Sequence, residues 1–382
     1  MRNSTRLFYI VVLLAMLLFT TNFVLALSTV TVQSPSSGQN VSGTILLNAT
    51  TDLNATTVVF MWNLSGALVL NATIINSTAD DTVFENASFN TSLLSDGVYD
   101  LIVNATNLTG GKASSSSVLG VRVDNTAPTV FLETPANGTN TTSTTPAFEY
   151  NFTDGISTYA SCELFVNDSS KGTNATTMNY TTTTITSSAL SEGTSTWYVN
   201  CTDKGGNVDM SPVYTITVDS VVPAVTAITT PASGANVTGV YVFNATVSDA
   251  TIGLDVVRFN VSNGSNTIWL TASNPGGDFW NASLNLSTLV ENSHTVTVFA
   301  NDTLGQLNST VTTTFTVDNN APTVFLESPA NGTNTTSTTP SFVYNFTDAA
   351  STYASCELFV NGSSKGTNAT TMNYTTTTIT SS

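Results

Sequence analysis

The sequence predicts an all-β chain, a tandem array of antiparallel two-sheet sandwiches with the last one truncated. Three observations carry that prediction. The chain contains itself: Ala127 to Ser188 recurs as Ala321 to Ser382 without insertion or deletion, and about six of some sixty positions differ (Thr134/Ser328, Ala147/Ser341, Glu149/Val343, Gly155/Ala349, Ile156/Ala350, Asp168/Gly362). A Pro-x-x-Gly turn returns at Pro35/Gly38, Pro135/Gly138, Pro231/Gly234 and Pro329/Gly332, a spacing of about 98 residues. That is longer than solenoid repeats of roughly 20–50 residues and matches a whole small domain. Within each unit the hydrophobic period is two, and turn signals arrive every ~8–12 residues, the pattern of sandwich strands.

Taken in order, Met1-Arg2-Asn3-Ser4-Thr5-Arg6, the apolar run Leu7–Phe19 and the small residues up to Ala26 describe a secretory signal peptide over 1–26. The apolar run is short for a membrane span of roughly 20 residues, so cleavage after Ala26 is expected rather than an uncleaved anchor. A first unit follows over 27–125, a second over 126–219, a third over 220–319 and an incomplete fourth over 320–382. In the second, Phe148, Tyr150 and Phe152 alternate with polar neighbours, as do Leu164 and Val166, then Trp197, Val199 and Cys201. The third repeats the plan in Tyr241 to Thr246, Val256 to Val261, Thr295 to Ala300 and Val311 to Val317. The fourth matches the second only to its Ser188 counterpart, so it lacks the equivalents of Trp197–Thr202 and Val213–Val218 and is expected to be unstable. Units one and three share Pro35/Pro231, Asn40/Asn236 and Asn48/Asn244, so the order is A-B-A-B and the duplicated element is a two-domain cassette. Alternation keeps identical neighbours, which exchange strands most readily, apart.

Each complete unit ends on one formula: Val123-Asp124-Asn125-Thr126-Ala127-Pro128, Val218-Asp219-Ser220-Val221-Val222-Pro223 and Val317-Asp318-Asn319-Asn320-Ala321-Pro322. Proline fixes its own φ and holds the preceding residue extended, which makes a short junction semi-rigid. The run Glu192-Gly193-Thr194…Trp197-Tyr198-Val199-Asn200-Cys201-Thr202-Asp203-Lys204-Gly205-Gly206-Asn207, followed by that junction, resembles the bacterial and archaeal Ig-like repeat domains of secreted and surface proteins. The resemblance covers nearly all of the mature chain, with a looser version in Asp96-Gly97-Val98-Tyr99 and Val121 to Pro128, and it implies Ig-like sandwiches of many possible roles. The Asn-Ala-Thr and Thr-Thr richness gives the composition an archaeal cast.

Composition excludes several functions. Charged residues are 9% and the net charge is −17. After Arg6 the only basic residues are Lys112, Arg122, Lys171, Lys204, Arg258 and Lys365. Nucleic acid needs clustered Lys and Arg, and an anionic membrane surface would repel this chain. At 41% hydrophobic residues in alternating strands, disorder is not expected. No nucleophile–base pair, paired carboxylates, phosphate loop or metal-ligand cluster recurs with the units, so no catalytic residue and no cofactor are expected. The single histidine, His294, sits beside Thr295 at a strand start and is expected at the surface or an edge.

Cys162 and Cys201 share the inward face and are expected to form a disulfide, closing a loop of about 40 residues worth ~3–4 kcal/mol by chain entropy. Cys356 is the repeat counterpart of Cys162, with its partner expected beyond Ser382. Asn-x-Ser/Thr sequons number about 31 after Ala26, against about 12 by chance from the Asn, Ser and Thr content. Asn48, Asn63, Asn104, Asn151, Asn200, Asn244, Asn260 and Asn345 are the glycosylation candidates, several on outward positions. The competing explanation is that Asn and Thr simply suit turns and strands. Asp154, Asp203 and Asp219 are weak calcium candidates: calcium prefers several loop oxygens, but no Asp-x-Asp-x-Asp run exists and Asp commonly caps turns. Trp62 and Trp197 fall in alternating strands as core, while Trp269 and Trp280 flank Asn274-Pro275-Gly276-Gly277 as a hairpin pair or an exposed sugar platform.

The leading expectation is a non-enzymatic, glycosylated spacer or stalk, secreted or on the cell surface and exported across or attached to a membrane. One rival is an adhesin whose domain surfaces bind a cell-surface glycan or protein. Another is the spacer region of a larger secreted enzyme. Oligomeric state is not legible in the sequence.

Overall fold

The computed structural model describes residues 27, 29–75, 82–115 and 117–381, so the expected signal peptide at 1–26 lies outside the described residues. By contacts the chain divides into two compact units: Met1–Thr139 with Thr145–Leu190 and Ser195–Ile216, and Thr217–Ser382 with Asn140–Thr144 and Ser191–Thr194. Strands dominate, and the helical elements among the described residues are two single 3-10 turns, Thr91–Leu93 and Leu286–Thr288.

The first unit begins with a sandwich. A three-stranded sheet of Val30–Ser34, Thr44–Thr51 and Val83–Asn90 faces a six-stranded one. The latter runs Asn40–Val41, Val118–Val123, Gly97–Thr106, Thr57–Leu64, Ala67–Ile75, with Lys112–Ser114 beside Gly97–Thr106. Asn40–Val41 pairs with Val118–Val123 in parallel, while the ladders of Gly97–Thr106 and Thr57–Leu64 are antiparallel. The period-two pattern is realised as one buried face: Val58, Phe60 and Trp62 against Leu101, Val103, Leu47 and Ala49. Trp62 stacks on Phe89 at 5.5 Å and meets the edge of Tyr99 at 6.0 Å. The Tyr99 hydroxyl donates to the Ser95 carbonyl at 2.8 Å, which satisfies a polar group at the foot of a buried aromatic.

The rest of the first unit is the main body of a second sandwich. Thr129–Thr134, Ala147–Thr153 and Thr183–Thr186 form one sheet, and Tyr159–Val166 lies between Ser169–Met178 and Gly193–Thr202 in the facing one. Phe148, Tyr150, Phe152, Leu164, Val166, Trp197 and Val199 are all buried, as the alternation predicts. Cys162 and Cys201 are directly opposed across the ladder and joined by a disulfide, both fully buried. Their Cα atoms are 4.1 Å apart, just below the ~4.4–6.8 Å range expected of disulfides, because directly facing antiparallel residues come that close within one sheet.

In the second unit, Ala224–Thr230, Val240–Ser248, Phe279–Asn285 and Ser273–Gly276 form a four-stranded sheet. It faces Ala235–Val237, Thr312–Val317, Ser293–Asp302, Leu254–Ser262 and Thr267–Thr271, with Leu307–Asn308 beside Ser293–Asp302. Phe243, Phe259 and Phe315 centre its core. In each Pro-x-x-Gly turn the glycine has a left-handed φ, from +73° at Gly38 and Gly234 to +84° at Gly332, a region that strains residues with a Cβ.

The fourth sandwich has five strands: Thr323–Ser328, Ser341–Thr347 and Thr377–Thr380 in one sheet, Tyr353–Val360 and Ser363–Met372 in the other. Its interior is open on one side. Val130 is 3% exposed in the second sandwich, whereas its counterpart Val324 is 53% exposed. Phe342, Leu358 and Cys356 are half-buried where Phe148, Leu164 and Cys162 are fully buried. Each such loss forfeits apolar burial at ~25 cal/mol per Å².

Two outcomes follow. Thiol labelling of the unfolded but unreduced chain should modify Cys356 and spare Cys162 and Cys201; labelling of either would refute the bond. Limited proteolysis of residues 27–382 should cut first beyond about Asn319, and appending some 30 residues homologous to Ala189–Asp219 should restore resistance. Equal protection of the fourth and second sandwiches would contradict the open-core account.

Candidate metal centre

The last core valine of the strand Val118–Val123 is followed by Asp124, and this residue organises its surroundings. Asp154 follows the strand Ala147–Thr153, and Asp203 follows Gly193–Thr202. All three side chains are buried, at 1%, 8% and 7% exposure, and each offers an oxygen within 4.8 Å of the others. Turn chemistry holds one oxygen of Asp124 and of Asp154, and both of Asp203. Asp154 Oδ1 accepts the Ile156 and Ser157 N–H groups at 2.7 and 2.6 Å. Asp203 Oδ1 accepts the Asn207 N–H at 2.9 Å, and its Oδ2 the Asn207 side-chain amide at 2.8 Å. Asp124 Oδ2 accepts the Ser157 hydroxyl at 2.6 Å. Asp124 Oδ1 and Asp154 Oδ2 are buried with no hydrogen-bond partner.

The second unit repeats the arrangement with Asp219, Asp249 and Asp302. Asp249 Oδ1 accepts three successive N–H groups, of Thr251, Ile252 and Gly253, at 2.9–3.1 Å. Asp302 Oδ1 accepts Leu304 and Gln306 N–H at 2.8 and 2.9 Å, and the Gln306 amide donates to Asp302 Oδ2 at 2.7 Å. Asp219 is 1% exposed and its Oδ2 is unpartnered. Two members recur in the fourth sandwich. Ser351 donates to Asp318 Oδ2 at 2.7 Å, and Asp348 Oδ1 accepts the Ala350 and Ser351 N–H groups at 2.9 and 2.6 Å. In the first sandwich the place of Asp203 is taken by the neutral Asn107, whose Oδ1 accepts the Gly111 N–H at 2.7 Å.

The same loops also hold the segments that join one sandwich to the next. The Asn207 amide also donates to the Asp124 carbonyl at 2.7 Å, and the Gln306 amide to the Asp219 carbonyl at 3.0 Å. A Cβ at Gly205 would meet that Asp124 carbonyl at 2.8 Å, so only glycine allows the approach. A second acid pins each junction from the other side: Asp96 accepts the Asn125 N–H at 2.7 Å, Glu192 the Ser220 N–H at 3.0 Å and Glu291 the Asn319 N–H at 2.9 Å.

Of the calcium candidates, Asp154 and Asp203 are brought together, and Asp219 is not with them. Asp124, Asp249 and Asp302 were missed, although the repeated Val-Asp formula and the fixed offset from Asp154 to Asp249 signalled them. His294 corrects the surface expectation: it is 3% exposed, stacked on Phe315 at 5.7 Å, with Nδ1 3.0 Å from the Asn292 carbonyl. It occupies the position that Tyr99 fills in the first sandwich. Trp62 and Trp197 are fully buried core. Trp269 and Trp280 are not a hairpin pair, because they lie in different sheets: Trp269 is half exposed against Phe299 at 4.7 Å, and Trp280 packs inward.

All eight glycosylation candidates are half-buried on strands. Several have the amide engaged: Asn48 donates to Glu85 at 2.6 Å, Asn345 to Glu327 at 2.7 Å and Asn244 to Thr230 at 2.8 Å. Other sequons form Asx turns in which the Asn oxygen accepts the N–H two residues on, as at Asn86, Asn90, Asn107, Asn174, Asn263, Asn285, Asn308 and Asn368. Exposed sequon asparagines, among them Asn71, Asn90, Asn137, Asn167 and Asn285, are more accessible than the half-buried strand asparagines.

Burial, reinforced by the charges of Asp154, Asp203 and Asp96, pushes the Asp124 carboxyl up to about 6, against the hydrogen bond from Ser157. Burial likewise raises Asp219. A carboxyl raised in the folded state stabilises the fold most below its unfolded value near 4 and loses that contribution as pH climbs through about 6. In chelator, therefore, Asp124→Asn should gain in melting temperature on the unsubstituted chain as pH rises from about 4 to 7. A difference constant with pH would count against this.

Residues 223–298 match the family model described as Bacterial Ig domain, and residues 84–156 that described as Bacterial Ig-like domain (group 3). No curated protein matches the chain. Among solved structures, a tetra-tandem repeat in the extending region of a large adhesion protein is 18% identical, covering 93% of this chain and 90% of that one at a TM-score of 0.32. A structure from a 1.5-MDa bacterial ice-binding adhesin is 18% identical, covering 77% and 99%, at 0.31. The I-band fragment I67–I69 of titin is 10% identical, covering 76% and 99%, at 0.43. The sandwiches are Ig-like in fold, and two stretches of the chain within them match models of bacterial Ig-like domains.

Proposed function

We propose that the chain is a non-enzymatic spacer of glycosylated Ig-like repeats, divided at 27–125, 126–219, 220–319 and 320–382, that works outside the cell or on its surface. The observation that carries this reading is the repeated junction. The same carboxylate-to-amide bond pins Asn125, Ser220 and Asn319, and an amide from a following loop holds the Asp124 and Asp219 carbonyls. Repeats with cores of their own, joined by short pinned junctions, suit the transmission of position and load. The buried disulfide fits an oxidising compartment. Glycans on the exposed sequons would solubilise a surface with few charges.

A second reading has its own observation. Trp269, half exposed, and the half-buried Phe299 form an aromatic pair in a shallow groove with Asp255, Arg258 and Asn301, a surface on which a sugar ring could stack between hydrogen-bonding groups. Binding of glycans on an array that Trp269→Ala abolishes would favour an adhesive role for this face.

Single-molecule stretching of the full chain tests the spacer reading. It should give separate unfolding events, the first and third repeats each releasing about 310–340 Å of contour for ~95 residues at ~3.3–3.6 Å per residue, and the disulfide-closed second and the shorter fourth repeat less. Reduction should lengthen one event by on the order of 130 Å, the 39-residue span between Cys162 and Cys201. One cooperative event releasing the whole chain would defeat this reading.

A further inference from the structure

We propose that the two acidic triads, Asp124–Asp154–Asp203 and Asp219–Asp249–Asp302, are calcium sites. The proposal stands independently of the spacer reading. Its first support is geometry: donors ~2.3–2.6 Å from one ion lie at most about 5 Å apart, and each triad places its three ligand atoms within 4.8 Å. Its second is the unmatched oxygens. Asp124 Oδ1, Asp154 Oδ2 and Asp219 Oδ2 are buried without a hydrogen bond, and they are the only carboxylate oxygens so placed among the described residues. An ionised carboxylate buried without partners is costly unless it is neutralised or coordinates a metal.

The partnered oxygens matter as well. Backbone N–H groups, the Ser157 hydroxyl and the Asn207 and Gln306 amides grip the other oxygens, which fixes where the remaining ones point. The nearest basic side chain in sequence, Lys204, is committed elsewhere, with its ammonium 3.7 Å above the Tyr159 ring.

The donor set chooses the ion. Only oxygens are present, and neither histidine nor cysteine joins a triad, which disfavours zinc and softer metals. Three loop carboxylates without octahedral order suit calcium better than magnesium, with water or carbonyl oxygens completing the shell. In the first unit the ion would tie Asp124, at the end of one sandwich, to Asp154 and Asp203 in the loops of the next. In the second it would tie the segment beginning at Asp219 to the loops of Asp249 and Asp302. The competing state is a shared proton, which the experiment separates from a bound cation.

The test is calorimetric titration of the chelator-stripped full chain with calcium chloride near neutral pH, paired with thermal melts. Two ions per chain should bind with dissociation constants of ~1 mM or tighter, and calcium should raise the melting temperature more than equal magnesium does. Asp154→Asn and Asp249→Asn should each abolish one ion, and the double variant both. In chelator the variants should melt no lower than the parent, because each removes a like charge. One ion, lost with only one of the variants, supports that triad and overturns the other. No heat and no melting shift up to about 10 mM calcium, or undiminished binding by the double variant, overturns both. Should a variant fail to fold, the parent stoichiometry decides.

Discussion

The interaction on which the repeat depends is the one its junctions share: an aspartate placed directly after the last buried valine of a sandwich. Val123 is fully buried and Asp124 is 1% exposed, so the carboxylate leaves the apolar core without reaching water. The Ser157 hydroxyl meets the carboxylate and the Asn207 amide meets the Asp124 backbone carbonyl, and these groups belong to the loops after Ala147–Thr153 and Gly193–Thr202. Ordering those loops around the carboxylate determines where the next sandwich begins. In the second unit the Gln306 amide meets the Asp219 backbone carbonyl and one Asp302 oxygen, a longer amide in the place of Asn207.

Much of the fold was legible because period two maps directly onto the faces of a sheet. Phe148, Tyr150 and Phe152 alternate in sequence and are buried in structure, and the inward face of the opposing sheet holds Cys162 opposite Cys201. The site was less legible, since Asp124, Asp154 and Asp203 are far apart in sequence and meet only because strand ends of two sandwiches converge. The acids visible by eye therefore fall into two clusters, Asp154 and Asp203 in one and Asp219 in the other. His294 misled for a related reason: polar Ser293 and Thr295 flank it, but alternation places it inward against Phe315. Trp269 and Trp280 look like hairpin partners from spacing alone, yet the chain crosses between sheets before the hairpin begins.

The excess of sequons has a structural component. In Asn-x-Ser/Thr the Asn oxygen can accept the N–H of the third residue, and the chain uses that bond at many of its bends, including both 3-10 turns. Turn formation thus accounts for part of a pattern that also marks glycan acceptors, and accessibility separates the two better than the motif does. The strand asparagines at 48, 244 and 345 tie neighbouring strands through their amides, which gives them structural work without any modification.

The duplicated segment also serves as an internal record of what the fold reads from its side chains. Gly155 and Ile156 become Ala349 and Ala350, yet Asp348 keeps the turn of Asp154, because that turn is made by backbone N–H groups at both places. Asp168 becomes Gly362 at a position with positive φ in both copies, 59° and 74°, where glycine is the less strained choice. Glu149 becomes Val343 between buried neighbours, on the outward face. Divergence has accumulated away from the buried acids, while Asp124 and Asp154, the Ser157 that bonds Asp124 and the inward aromatics have identical counterparts in the second copy. The two halves of this one chain thereby distinguish positions held by chemistry from positions held only by conformation.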